Sequence, residues 1–166
     1  MKKLILVRHA KSSWEDNLTD HDRPLNERGI SDANLVSNHL KTAAFGVDLV
    51  LSSDAMRAKT TAKIFVENLH INASIFHLKS DLYDFSGNNL VRIIKNCDNS
   101  VNSLMVFGHN HAVTAFANAF GDSNIDNVPT CGVVSIVFNM NNWEDLTKGK
   151  TVSTLFPRDL KNSDSF

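Results

Sequence analysis

Short apolar runs alternate with segments of helical periodicity along almost the whole chain. A strand buried on both faces reads as a near-continuous apolar run, and parallel neighbours need a crossover long enough to hold a helix. The alternation therefore predicts an α/β fold: a three-layer α/β/α sandwich with helices on both faces of a mostly parallel central sheet. Residues 4–7 form the first strand-like run and residues 49–51 the second. Residues 74–78 read as a weaker strand, 104–107 as a buried strand ending at Gly108, and 133–138 as a strand rich in β-branched residues. Residues 151–156 suit an edge strand. Between them, residues 26–43 predict a helix with Asn26 at its N-cap and Ala33, Val36 and Leu40 on one face. Asp54 is expected to cap the next helix, in which Ala58, Thr61, Ala62, Phe65 and Leu69 form one apolar stripe. Ser86-Gly87 precedes a helix carrying Leu90, Val91 and Ile94, and residues 111–120 turn Val113, Phe116, Ala117 and Phe120 inward. The pattern implies one domain over residues 1–160 and a polar tail over 161–166, with the chain from Pro157 onward read as frayed.

A chain of 166 residues is long enough for one real core; near this size folding buries roughly 70% of the unfolded surface. The formal net charge is -1 and no basic run stands out. That leaves no electrostatic footprint for nucleic acid and no polybasic membrane patch. No apolar run approaches the ~18 residues of a membrane span. The apolar stretch after Lys2-Lys3 stops at Arg8, short of the about 7–15 residues of a secretory signal. The expectation is a cytoplasmic protein. Cys97 and Cys131 lie far apart with no CxxC spacing, and read as small buried hydrophobes in a reducing compartment.

In open α/β sheets ligands sit beyond the carboxyl ends of the strands. Arg8-His9 follows the first strand directly, Ser52-Ser53 leads from the second towards Arg57, and His109 follows Gly108. Two arginines and two histidines would therefore share one rim. The set suits a phosphoryl group: the guanidinium fork matches phosphate oxygens in pairs, and charge neutralisation carries most of the catalysis in phosphoryl transfer. A neutral imidazole can attack phosphorus and form a covalent phosphohistidine. A second, positively charged imidazole can donate to a phosphoryl oxygen, and helix N-termini at the same rim add N–H donors.

Two other readings use the same residues. His109-Asn110-His111, with His21-Asp22, could hold zinc or iron. Metal sites usually show more organised ligand spacing, so neither metal nor cofactor is expected. A binding module could grip a phosphorylated partner without turning it over. His39, His70 and His77 read as structural, and Arg28 and Arg92 as solvated.

Arg8-His9-Ala10 after a first strand resembles the RHG-type signature of the histidine phosphatase superfamily, which has the phosphoglycerate mutase-like fold. Leu51-Ser52-Ser53, Arg57-Ala58, Thr61-Ala62 and Gly108-His109-Asn110 resemble its later marks in order and spacing. The short SixA-type branch of phosphohistidine phosphatases is a closer likeness. Its hallmarks resemble the run from Arg8 to Trp14, the run Asp20-His21-Asp22-Arg23-Pro24-Leu25-Asn26, Pro129-Thr130 and Phe156-Pro157.

The resemblance implies a metal-independent phosphatase. His9 would be the nucleophile, Arg8, Arg57 and His109 would bind the phosphoryl group, and Arg23 and Ser12 would add substrate contacts. The implied substrate is phosphohistidine on a signalling phosphotransfer protein, or else a small phosphorylated molecule, with inorganic phosphate as product. Ala10 stands where many relatives have Gly, and His111 where the branch usually has Pro. Larger members protonate the leaving oxygen with a carboxylate; here Asp81, Tyr83 and Asp84 occupy the corresponding loop, and Asp84 or His21 is the candidate acid. A P–N bond with a protonated imidazole as leaving group needs less acid help than an ester. The short chain leaves few residues for a lid, which suits a protein substrate better than a mutase cycle in a closed cavity.

Overall fold

Every second residue of the first strand faces the same way, and both sets are apolar, so the strand must be covered on both faces. The computed structural model describes residues 1–15, 17–41 and 46–163 and meets that demand. Its elements run β1 (Lys2–Arg8), α1 (Glu27–Leu40), β2 (Leu49–Ser52), α2 (Met56–Asn68), β3 (Phe76–Leu78) and α3 (Asn88–Lys95). Then follow β4 (Ser103–Gly108), α4 (Ala112–Phe120), β5 (Val133–Phe138), β6 (Lys150–Leu155) and α5 (Pro157–Ser163). The sheet order is β3-β2-β4-β1-β5-β6. The pairs β3–β2, β2–β4 and β4–β1 are parallel, whereas β5 runs antiparallel to both β1 and β6. Only β5 is reversed, so the mostly parallel sandwich expected from the sequence is the fold observed.

Leu4 and Leu6 of β1 and Leu104 and Val106 of β4 face one layer, with Leu90 and Ile94 of α3 and Val113 and Phe116 of α4. Ile5, Val7, Met105 and Phe107 face the other, against Ala33 and Val36 of α1, Ala62 and Phe65 of α2, and Leu160 of α5. Each fully buried side chain of this kind contributes about 1.5–3 kcal/mol. Stripping one layer would therefore expose half of the strands' apolar residues.

Register decides where the site can be. Arg8 pairs with Gly108, and Ser52 with Phe107, so β1, β4 and β2 end almost flush on neighbouring positions of one rim. The residues that follow those strands are thereby brought side by side.

Asn26 caps α1 as expected, its side chain accepting from the Gly29 N–H. The predicted extension of that helix to residue 43 lies outside the described residues. Asp54 does not cap α2: Ser53 Oγ accepts from the Ala55 N–H, and Asp54 bonds His21 instead. The third strand is shorter than 74–78, because Ala73–Ile75 forms a 3-10 turn. The segment from Pro157 is helical through Ser163 rather than frayed. Leu160 is buried there, and Lys161 Nζ lies 2.7 Å from Asp32 Oδ1, whose side chain is buried in α1.

Candidate active site

The backbone after β1 is fixed from three sides. His9 N donates to Gly108 O at 3.1 Å, and Cys131 N, in the left-handed region at φ 61, donates to both Arg8 O (3.0 Å) and His9 O (2.9 Å). Thr61, one turn into α2 beyond Arg57, accepts from Ala10 N at 3.0 Å and donates to Arg57 O at 2.7 Å. The turn after His9 and the helix that carries Arg57 are thus held by one hydroxyl. Gly29 closes the same region: a Cβ there would stand 2.1 Å from the Lys11 carbonyl oxygen, which accepts from Asn26 N.

Arg8, His9, Ser12, Arg23, Arg57 and His109 all line one cavity of ≈ 310 Å³. The His9 and His109 rings lie 5.1 Å apart between centroids. His9 Nδ1 is 2.7 Å from Ala10 O. A carbonyl only accepts, so Nδ1 carries the proton and Nε2 keeps its lone pair. Burial, helped by the Arg57, Arg8 and Arg23 charges, pulls the pKa of His9 down to about 3. It is neutral at ordinary pH, the form a nucleophile needs.

His109 differs from the charged donor expected. Burial first, then the proximity of His9 and Arg57, lowers its pKa to about 2, so it is neutral in the empty site. Its Nε2 lies 2.8 Å from Ser53 Oγ. Ser53 Oγ also accepts from Ala55 N, and a hydroxyl both donates and accepts, so this bond serves either tautomer of His109, whose other ring nitrogen is Nδ1. That Nδ1 and Arg8 Nε are buried with no hydrogen-bond partner among the described residues. Leaving buried polar atoms unpaired is costly, and both of these belong to residues that line the cavity.

Asp20 is the residue whose importance the sequence concealed. Its Oδ2 accepts from Arg57 Nη2 at 2.9 Å and from the Tyr83 hydroxyl, and its Oδ1 accepts from Arg23 Nη1 at 2.9 Å. Its backbone oxygen accepts from Arg57 Nη1 at 2.6 Å. Partial burial opposes ionisation, but bonds from Tyr83, Arg57 and Arg23 hold the carboxyl well below the usual carboxylate range. Arg23 also donates to Ser12 Oγ and Ser13 O, and its guanidinium stacks 3.2 Å from the Trp14 ring centroid. The signals in the sequence were the place of Asp20 at the head of the family-like run from Asp20 to Asn26 and its spacing to Arg23, neither of which assigned it a role.

The two candidate acids stand elsewhere. Asp84 accepts from the N–H groups of Ser86, Gly87, Asn89 and Leu90 and from Ser86 Oγ, so it caps α3. Despite desolvation, the backbone bonds from Leu90, Gly87 and Ser86 lower its pKa, and it does not line the cavity. It is a correction to the sequence reading: an ionised cap has no proton to give. His21 pairs with Asp54 at 3.0 Å, a bond that raises its pKa, and reaches the site only through the edge of Tyr83. His111 is exposed at the start of α4. Among the described residues no three His, Cys, Asp or Glu side chains cluster as a metal ion would require. No helix among them is long and apolar enough to cross a membrane.

The profile of the histidine phosphatase superfamily (branch 1) matches residues 4–82. An uncharacterised chloroplastic protein of Arabidopsis thaliana is 33% identical over 154 residues, spanning 87% of this chain and 70% of that one. The SixA protein of Agrobacterium tumefaciens superposes with a TM-score of 0.78 at 23% identity, over 93% of this chain and 97% of that one. The protein histidine phosphatase SixA complexed with tungstate superposes at 0.77 and 21% identity, over 95% and 99%. These two share the fold. With the ordered motifs and a relative matched over 70% of its own length, the matches carry one conclusion: the chain belongs to the histidine phosphatase superfamily.

Proposed function

We propose that the protein is a metal-independent phosphatase that works through a phosphohistidine on His9, with phosphohistidine of a signalling phosphotransfer protein as its substrate. The observation that carries the reading is the neutral His9, with Nδ1 bonded to its own chain and Nε2 free within a cup of arginines. The Nε2 lone pair forms a bond to phosphorus as the bond to the leaving group breaks. Water then attacks phosphorus, inorganic phosphate departs and Nε2 recovers its lone pair. Arg8, Arg57 and Arg23 offset the oxygen charge, and His109 donates a hydrogen bond to one oxygen. Loss of one such donor typically costs about 3–4 kcal/mol of transition-state stabilisation.

The substrate follows from what the cup lacks. Asp20 is held ionised and Asp84 serves α3, so neither carboxyl has a proton for an alkoxide. A nitrogen leaving group that is already protonated needs none. A SixA protein of the same fold forms a complex with tungstate, itself a tetrahedral oxyanion.

Rates on a phosphohistidine protein, phosphoramidate and a panel of sugar phosphates, all in chelator, test the reading. The phosphohistidine protein should lead by orders of magnitude, and His9→Ala should abolish every rate. A sugar phosphate that leads by a similar margin would point to a small-molecule phosphomonoesterase. Tight binding without turnover would point to a phosphate-binding module.

A further inference from the structure

The cup has a closed floor and an open side. His9, His109 and Arg57 are buried, whereas the Asp20 side chain is 43% exposed, Phe85 48% and Trp14 74%. With the phosphoryl group on the floor against Nε2 of His9, its leaving group must extend towards that open side. Asp20 is the one carboxylate among the described residues lining the cavity, and its half-exposed side chain belongs to the open side. It is locked there by Arg57 Nη2, Arg23 Nη1 and the Tyr83 hydroxyl, so it cannot swing away without stripping three donors.

We propose that Asp20 is a specificity-determining residue that favours substrates whose leaving group carries positive charge and disfavours those carrying a second anionic group. The inference rests on the phosphatase reading and deepens it: the substrate class is a phosphoryl group on a protonated nitrogen, imidazolium included. A carboxylate or second phosphate on the substrate would meet the Asp20 charge at the open side of the cup. The residue acts on the leaving side and takes no part in bond formation.

Two aryl phosphates isolate the effect: 4-(aminomethyl)phenyl phosphate and 4-(carboxymethyl)phenyl phosphate. The methylene keeps the two phenols similar as leaving groups, so charge is the main difference. In each, the P–O bond breaks as Nε2 of His9 bonds phosphorus, and water protonates the phenolate. Removing the Asp20 charge also frees Arg57 and Arg23, which act on the phosphoryl group of both substrates and move the charge ratio in the same direction as the loss of Asp20 itself. The ratio of their kcat/KM values is therefore the readout. Asp20→Asn should lower the amino-to-carboxy ratio by about tenfold or more, and Asp20→Glu should keep it near wild type. If the Asn variant does not fold, Asp20→Ser gives the same comparison. A ratio unchanged within about twofold in the uncharged variant, with an acid-labile phosphoryl label still on His9, overturns the inference alone. No turnover of either ester and no label in the wild type overturns the phosphatase reading and the inference with it.

Discussion

The lone pair of His9 is set by its surroundings more than by its own chemistry. An imidazole in the unfolded chain titrates near 6.5, whereas burial and neighbouring cations bring His9 to about 3 and His109 to about 2. Between pH 6.5 and about 3 the unfolded chain binds protons that the folded chain refuses. Stability therefore rises with pH through that window and is lost as pH falls, by about 1.4 kcal/mol per pH unit for each buried histidine. Urea unfolding of His109→Gln between pH 6 and 4 should show a shallower slope than wild type, and equal slopes would contradict the neutral assignment. At this scale the sequence was informative where a residue type is rare in its role. Arg8, His9, Arg57 and His109 were legible because arginines and histidines gathered beyond strand ends have few structural uses. Asp20 and Thr61 were not: a turn aspartate and a helical threonine have many ordinary uses, and only distances separate those from theirs.

Among the elements, α3 carries the clearest consequence. Asp84 gathers four backbone N–H groups and the Ser86 hydroxyl at its start. Asp84→Ala should cost about 1–2 kcal/mol in unfolding free energy. Phosphoramidate turnover at a temperature where the variant is folded should stay near wild type; a loss of several orders of magnitude would restore Asp84 as the acid. Periodicity located α1, α2 and α4 because each has a full apolar stripe. It missed α5 because Leu160 is the lone apolar residue among Pro157–Ser163, and its other anchor is an ion pair with Asp32, distant in sequence. No local pattern announces such a pairing. Asp54 was misassigned for a related reason: a capping residue type found a side-chain partner, His21, and Ser53 took over the turn.

For the molecule as a whole, alternation of strand and helix was enough to name the layers, but not to order the strands. The insertion of β4 between β1 and β2 sets Gly108-His109 between Arg8-His9 and Ser52-Ser53. Long-range pairing decides that arrangement. The overall charge of -1 likewise hides the cup, where Arg8, Lys11, Arg23 and Arg57 face a single carboxylate among the described lining residues. In the proposed function all of this serves one event, the transfer of phosphorus to Nε2 of His9. Rapid quenching of the wild-type protein with a radiolabelled phosphohistidine donor, followed by peptide mapping, measures it directly. The account predicts an acid-labile, alkali-stable label on the peptide containing His9, formed and lost at rates compatible with turnover. Turnover at full rate in His9→Ala, or a label mapped to any other residue, would contradict it.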